Sequence, residues 1–311
     1  MITITPTAND VGQRIDNFIK KTYPKLKLFQ IQKYIRIKRL KVNEKKVNND
    51  YRLQANDKIQ LYINDNLLEK ERSVKDYLLA PTTLDVVFED KNILIINKPV
   101  GLVVHDDETK TTDTLSNRVM HYLFNKKEWD PATENSFVPA LVHRLDKNTS
   151  GLVMAAKNAV SLRILSQKIK NHEIDKYYLC RVHGYITPAS ASMTAYWTRE
   201  HDNKFVKITK KPINSTSQLI VTEYKTIKQE HDTSLLEVKL VTGKTHQIRA
   251  HFNFINYPLV GEQKYTKKEF SKINNQYQAL ISYKIYFNFK NNAGILQYLD
   301  KKTFILKNCN C

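Results

Sequence analysis

The chain has 311 residues, of which 41% are hydrophobic, and a formal net charge of +19. This length allows a substantial core and more than one domain. No apolar run approaches the roughly 20 residues that span a bilayer, and the first residues lack the pattern of a secretory signal, so we expect a cytoplasmic protein that does not bind membranes. The three cysteines are too few for a disulfide framework. The strong positive charge favours a polyanionic partner.

The N-terminal residues 1–65 carry short helix and strand patterns. Apolar residues at helical spacing predict helices over residues 14–19 and 29–36, and short apolar runs predict strands over residues 40–43 and 58–63. Nine basic side chains crowd into this region: Lys25, Lys27, Lys33, Arg36, Lys38, Arg39, Lys41, Lys45 and Lys46. Such a cluster is either a face kept solvated for solubility or a surface that binds phosphate groups.

Two small helices followed by short strands, with basic residues on the second helix and its turn, resemble the S4 RNA-binding module. The resemblance implies that four basic side chains contact RNA, namely Lys33, Arg36, Lys38 and Arg39. Phosphate contacts of this kind supply affinity and orientation but little sequence discrimination. The chain departs from the module at Lys38, which stands in the place of a usual turn glycine.

The rest of the chain predicts a linker and a larger domain. Residues 66–83 are charged and weakly periodic, and we interpret them as the linker. Residues 84–311 alternate short apolar runs with few helical patterns, which predicts an α+β domain around a mixed, largely antiparallel sheet. The expected strands cover residues 84–88, 93–98, 141–143, 176–182 and 235–240, and the expected helix covers residues 158–166.

The most informative stretch is VHRLDKNTSGL at residues 142–152. It places Asp146 between the cationic Arg144 and Lys147, and nearby positive charge favours the ionised form of a carboxylate. The apolar runs on both sides predict buried strands, so we expect Asp146 at the mouth between them, as a candidate nucleophile or base. The alternative is an ordinary Asp–Arg pair in a turn.

This stretch resembles the active-site signature of the RluA-type pseudouridine synthases. The resemblance implies that Asp146 is the catalytic residue and that Arg144 helps to turn the target base out of the RNA. His143 and Thr149, which belong to the same signature, are assigned to binding of the RNA substrate.

Three further segments resemble motifs of the same family. VFEDKNILIINKPVGLVVH at residues 87–105 resembles the first motif and is expected to help shape the cleft. YPLVG at residues 257–261 resembles the closing turn. KYYLCRVHG at residues 176–184 resembles the Lys-x-Tyr-x-Ala-x-Val-x-Gly motif, and the family's active-site tyrosine maps to Tyr178. An aromatic ring there can stack on an extruded uracil. The alternative is a core tyrosine.

The segment LVTGKTHQIRAHF at residues 240–252 resembles the third family motif. We interpret Arg249 as the partner that keeps Asp146 anionic, because a guanidinium stays charged and can engage a carboxylate through two N–H groups. Lys244 is the second candidate for this partner, or else a phosphate contact. The two histidines of the segment lack a third ligand at a sensible spacing, so we expect no metal.

The resemblance implies isomerisation of uridine to pseudouridine in RNA, without a metal, nucleotide or redox cofactor. We expect the protein to be a monomer. Asp146 either attacks the sugar covalently or acts as a base, and the sequence leaves both routes open. An S4-like module joined to this catalytic domain is most similar to the C-type branch of the bacterial large-subunit rRNA enzymes, so 23S rRNA is the expected substrate. A different rRNA site or tRNA is the alternative substrate. Two other functions remain open. The first is an S4-type RNA-binding or ribosome-assembly protein that has no catalytic activity, and the second is a hydrolytic N-glycosidase.

Overall fold

The computed structural model describes residues 1–68, 76–105, 111–200, 205–266, 277–307 and 309. The strands in these ranges form two sheets, one of three strands and one of eleven. In the same ranges, no helix has both the length and the apolar character needed to cross a membrane.

The smaller sheet belongs to the N-terminal unit. Its elements are β1 (Ile2–Ile4), α1 (Ile15–Thr22), α2 (Leu28–Arg36), β2 (Leu40–Val42) and β3 (Ile59–Leu61). The strands lie in the order β1-β3-β2 and pair antiparallel. Apolar side chains at helical spacing, Phe18 and Ile19 on α1 and Ile31 and Ile35 on α2, are buried in one core. The two helices and the strands expected here are therefore present.

The larger sheet forms the second unit. Its elements are β4 (Val86–Glu89), β5 (Ile93–Lys98), α3 (Leu115–Asn125), β6 (Ala140–Leu141), β7 (Ser150–Ala156), α4 (Ala159–Lys170), β8 (Ile174–His183), β9 (Ser190–Arg199), β10 (Val206–Thr209), β11 (Gln218–Glu230), β12 (Thr233–Leu240), α5 (Gln247–Phe254), β13 (Leu280–Phe287) and β14 (Thr303–Ile305). The strand order is β10-β9-β11-β12-β8-β13-β7-β5-β4, with β14 on β13 and β6 on β7. Among the described strands only β7 and β13 pair in parallel, so the expected mixed, largely antiparallel sheet is confirmed.

The sequence missed α3, α5 and several strands of the sheet, and α5 shows the physical reason. Six of its eight residues are buried, among them the polar Gln247, Arg249 and His251. An amphipathic pattern marks a helix only where one face is polar and solvated. Because α5 buries polar groups on several faces, its sequence carries no clear periodic signal.

Part of the expected linker packs into the second unit. Tyr77 lies in a short 3-10 helix at Asp76–Leu79 and is 6% exposed. Its ring makes edge contacts to Phe124 and Trp129, with ring centroids 5.7 and 5.4 Å apart. Burial of one aromatic side chain holds this short segment against the core. Residues 69–75 of the expected linker lie outside the described ranges.

The two units also meet through a buried carboxylate. Asp10 of the N-terminal unit is fully buried and accepts hydrogen bonds from Asn135 Nδ2, at 2.9 Å, and from Ser136 Oγ, at 2.5 Å. A buried carboxylate without such donors would be costly. These contacts join the N-terminal unit to the loop that precedes β6.

Candidate active site

A cleft of about 290 Å³ lies where the loop between β6 and β7 faces β8 and the start of α5. Seven residues predicted from the sequence line it: His143, Arg144, Asp146, Thr149, Tyr178, Lys244 and Arg249. They come from three separate stretches of the chain, which the fold of the sheet brings to one place.

Arg249 is the ion-pair partner of Asp146. Its Nη1 donates a hydrogen bond to Asp146 Oδ2 at 3.0 Å. Among the described residues no ion pair joins Lys244 to Asp146. Burial by itself lowers the pKa of Arg249, but the hydrogen bonds and charges of its two carboxylate partners raise it above its usual value. The guanidinium therefore stays charged beside Asp146 at any pH at which the protein is folded.

The second carboxylate on Arg249 is Glu262, which the sequence analysis did not single out. Arg249 Nε donates to Glu262 Oε2 at 2.7 Å, and Nη2 donates to Oε1 at 2.9 Å. Glu262 is 1% exposed and also accepts the backbone N–H of Lys264 at 2.8 Å. This two-point pairing fixes the plane of the guanidinium. The available signal was weak: an acidic residue directly after the turn at residues 257–261.

His246 also approaches Asp146 Oδ2. Its Nε2 is 3.8 Å from Asp146 Oδ2, and its Nδ1 is 2.6 Å from the hydroxyl of Tyr265. Burial lowers the pKa of His246 to about 4, although the charge of Asp146 acts in the opposite direction. The imidazole is therefore neutral at pH 7, and Arg249 supplies the positive charge next to Asp146.

Tyr178 lies on β8 and is 5% exposed. Burial, followed by the negative charge of Asp146, raises the pKa of the phenol well above its usual value. The hydroxyl therefore keeps its proton near neutral pH. A ring in this state can stack on a base and donate a hydrogen bond, but it is a poor general base.

The loop that carries Asp146 is held by Lys98 at the end of β5. Lys98 is fully buried, and its Nζ donates to the carbonyl oxygens of Pro99, Leu102 and Lys147 at 2.9, 2.7 and 2.9 Å. The backbone N–H of Gly101 donates to the same Lys147 carbonyl at 3.0 Å. Burial lowers the pKa of Lys98 to about 8, and the charge of Asp146 opposes this. The turn of the first motif thus clamps the residue that follows Asp146.

Gly151 allows the parallel contact between β7 and β13. It pairs with Ser282, and its φ is +110°. A Cβ at this position would lie 2.1 Å from the backbone oxygen of Ser282, so a side chain would force the strands apart. The glycine therefore permits the close approach that places β13 beside the Asp146 loop.

The remaining predicted residues of the signature have different surroundings. Arg144 is exposed, and its side chain has no hydrogen-bond or ion-pair partner in the described ranges. His143 Nε2 accepts the backbone N–H of Met154 at 3.2 Å, and burial lowers its pKa to about 3. Thr149 is 2% exposed, and its N–H closes a turn onto the carbonyl of Asp146 at 3.0 Å. Arg144 is thus the member best placed to reach a ligand, whereas Thr149 shapes the turn.

The basic residues predicted on the N-terminal unit lie outside this cleft. All four are exposed: Lys33, Arg36, Lys38 and Arg39. Lys33 and Arg36 line a separate groove of about 700 Å³. Lys38 has a φ of +61°, the conformation that a glycine adopts without strain. The basic groove on the N-terminal unit is therefore separate from the cleft that Asp146 lines.

No group of three or more His, Cys, Asp and Glu side chains in the described ranges is arranged to hold a metal ion. The two histidines of the third motif have other partners. His246 bonds to Tyr265, and His251 Nδ1 lies 3.0 Å from the hydroxyl of Thr222.

Comparison with known proteins agrees with this geometry. The profile of a family described as RNA pseudouridylate synthase matches residues 92–254, which include the Asp146 loop, Tyr178 and Arg249. An uncharacterized RNA pseudouridine synthase of Mycoplasma capricolum subsp. capricolum is 36% identical over 96% of this chain and 94% of that protein. The ribosomal large subunit pseudouridine synthase C of Buchnera aphidicola subsp. Baizongia pistaciae is 30% identical over 85% of this chain and 80% of that protein.

A solved structure with a similar fold carries the name of the same family. The structure of human RNA pseudouridylate synthase domain containing 4 superposes with a TM-score of 0.56 over 71% of this chain and 87% of that one, at 20% identity. This likeness confirms the expected α+β pseudouridine synthase fold. With the matches in sequence, it shows that the chain belongs to the RNA pseudouridylate synthase family, whose members are isomerases that act on RNA.

Proposed function

We propose that Asp146 carries out the isomerisation of a uridine in large-subunit (23S) rRNA, inside the cleft between the β6–β7 loop and α5. The observation that supports this most is the 3.0 Å ion pair between Asp146 and Arg249 in a cleft that Tyr178 also lines. A carboxylate paired with a guanidinium at a concave site beside an aromatic ring suits attack on a sugar and retention of a freed base.

In the reaction the N1–C1′ bond of the uridine breaks, the uracil turns within the cleft, and a C5–C1′ bond forms. C5 loses a proton and N1 gains one, so the mass of the RNA does not change. Asp146 either attacks C1′ or takes a proton from the sugar, and both routes need its carboxylate anionic. Tyr178 stacks on the uracil with its hydroxyl protonated. Arg144 fills the space that the flipped base leaves in the RNA.

Residues 1–65 form an S4-like RNA-binding domain in this proposal, residues 66–83 a connection, and residues 84–311 the catalytic domain. Two features support the first assignment: the two helices packed on a three-stranded sheet, and the groove lined by Lys33 and Arg36 on the exposed face of α2. Lys38 and Arg39 extend the basic surface next to it. Phosphate contacts made here hold the substrate while the cleft selects the base.

The choice of 23S rRNA is supported by the relative named as a large-subunit pseudouridine synthase, which matches most of this chain. Pseudouridine mapping of rRNA and tRNA from cells with and without the gene tests the choice. We expect at least one pseudouridine of 23S rRNA to disappear, and re-expression of the wild-type chain to restore it. Loss confined to tRNA, or no loss at all, would overturn the proposed substrate.

The two rival functions give different products. A binding protein without catalysis leaves purified RNA unmodified, and an N-glycosidase releases free uracil and leaves abasic sites. A monomeric pseudouridine synthase, with no small molecule added, converts uridine to its isomer in the same RNA without release of uracil. Nucleoside analysis of RNA incubated with the purified protein separates all three outcomes.

A further inference from the structure

Lys176, near the start of β8, is a partly buried cation. No hydrogen bond or ion pair to its Nζ is present in the described ranges. A methyl group placed on Gly243 would come within 3.7 Å of Nζ, so the ammonium lies against the loop before α5. Burial lowers the pKa of this lysine. An ammonium that is partly withdrawn from water and has no compensating anion is a candidate site for an anionic ligand.

Lys176 lies where two cavities meet. It lines the cleft of Asp146, and it also lines an outer groove of about 580 Å³ formed by the end of α4, the start of β8 and the end of β12. Ile169, Leu240, Gly243 and Lys244 border both cavities as well. The two spaces are therefore adjacent, with two lysines at their junction.

The outer groove has the chemical character of a nucleotide site. Lys170 and His172 are exposed on its rim, and Leu219 offers an apolar surface that is 53% exposed. Lys239 on the same groove is already paired with Asp175 at 3.1 Å. Among the described residues no ion pair involves Lys170, Lys176 or Lys244, so unpaired lysines lie on the rim and at the junction. The apolar side chain of Leu219 lies where a base could rest.

We propose that the outer groove binds the nucleotide next to the target uridine, and that Lys176 contacts the phosphate between the two nucleotides. The inference rests on the proposed function of the Asp146 cleft, because it takes that cleft as the place of the flipped uridine. A flipped nucleotide stays bonded to its neighbours through phosphates, so one phosphate must pass the junction if the chain continues into the groove. An ammonium at that point binds phosphate as a point charge.

The test pairs a protein variant with a change in the RNA. Single-turnover rates and dissociation constants are measured for an RNA that the wild-type protein converts, and for two copies with a neutral methylphosphonate on the 5′ or the 3′ side of the target. The proteins are wild type, Lys176→Gln, Lys176→Arg and, as a control, Lys207→Gln on the exposed side of the edge strand β10. Thermal unfolding of each variant shows whether it is folded.

We expect Lys176→Gln to weaken binding about 10- to 100-fold, the loss expected when a hydrogen bond to a charged group is removed. Lys176→Arg keeps the charge and should retain most of the affinity, and Lys207→Gln should behave as wild type. One of the two methylphosphonates should weaken binding by wild type to a similar degree, yet cause no further loss with Lys176→Gln. That non-additivity is the signature of a direct contact.

Two outcomes overturn the proposal. Either Lys176→Gln binds and converts the RNA as well as wild type, or both methylphosphonates weaken binding by Lys176→Gln as much as binding by wild type. In both cases wild type still forms pseudouridine, so the function of the Asp146 cleft stands. Failure of the wild-type protein to form pseudouridine in any RNA would instead refute the proposed function itself.

Discussion

Glu262 holds the guanidinium of Arg249 through two hydrogen bonds, at 2.7 Å from Nε and 2.9 Å from Nη2, and so leaves Nη1 to face Asp146. One cation is thus shared between two carboxylates. Glu262 is buried and cannot act on the substrate directly. It fixes the direction from which the guanidinium of Arg249 approaches Asp146. The two carboxylates and the guanidinium together carry one net negative charge.

Glu262→Gln should therefore reduce kcat with little change in KM. The amide holds Arg249 less firmly, and a displacement of about 1 Å near the reacting atoms can cost on the order of 100-fold in rate. Steady-state kinetics on a convertible RNA measures the split between kcat and KM. Glu44→Gln, an exposed position on the N-terminal unit, is the matched control. An unchanged kcat in Glu262→Gln would show that the pairing of Glu262 with Arg249 does not affect catalysis.

The three hydrogen bonds of Lys98 predict a pH effect on the rate. Only the ammonium can donate to all three carbonyl groups. Because burial lowers the pKa of Lys98 to about 8, the clamp on the Asp146 loop is complete below that pH and weakens as the pH rises through it. We expect kcat to fall on the alkaline side of pH 8 in wild type.

Lys98→Met should abolish this fall in kcat above pH 8 and leave a lower rate that varies little between pH 7 and 9. The RNA substrate and the buffer ionic strength stay constant across the series, so that binding contributes equally at each pH. If kcat of Lys98→Met still falls above pH 8 as it does in wild type, a group other than Lys98 causes the fall.

Two glycines should differ in what they contribute to stability. Both have positive φ, but a Cβ at Gly151 would meet the Ser282 backbone at 2.1 Å, whereas a Cβ at Gly101 has no atom within 4 Å. Gly101→Ala should cost about 1–2 kcal/mol through backbone conformation alone. Gly151→Ala should cost about 3 kcal/mol or more, because strain and collision add. Urea unfolding of both variants measures the difference, and equal losses would contradict the close approach of β7 and β13.

Lys33 and Arg36 should set the salt dependence of RNA binding. Each phosphate contact contributes about 0.7–0.9 to the slope of log Kobs against log salt. The double variant Lys33→Gln with Arg36→Gln should therefore lower the slope by about 1.4–1.8, if each side chain makes one contact. Lys207→Gln with Lys210→Gln removes the same charge from exposed positions on and just after β10 and should leave the slope unchanged. Equal effects of the two pairs would favour general electrostatics over a defined surface.

The sequence predicted the site residues that lie in recognisable sequence motifs. It did not predict those whose role depends on tertiary packing. Asp146, Tyr178 and Arg249 stand in segments whose spacing is distinctive, and the cleft brings them together. Glu262 follows a turn with no pattern around it, so only the fold shows that its carboxylate reaches Arg249. Lys176 was visible as a motif residue, but only the fold shows that no side chain in the described ranges pairs with it.

The same division applies to the fold. Strand β5 was predicted because its apolar run is bounded by polar residues, and β8 because its sequence fits a strand pattern. Helix α5 was missed because burial of Gln247, Arg249 and His251 removes the polar face. The parallel contact of β7 with β13 depends on Gly151 and on a strand more than a hundred residues later, which no local pattern can indicate.

The most direct measurement of the central claim is pseudouridine formation by Asp146→Ala and Asp146→Asn, mapped by carbodiimide modification of a substrate RNA. Binding of the same RNA is measured in parallel. We predict that both variants bind the RNA nearly as wild type does but form no detectable pseudouridine. Pseudouridine formed by either variant at the wild-type rate would contradict the assignment of Asp146.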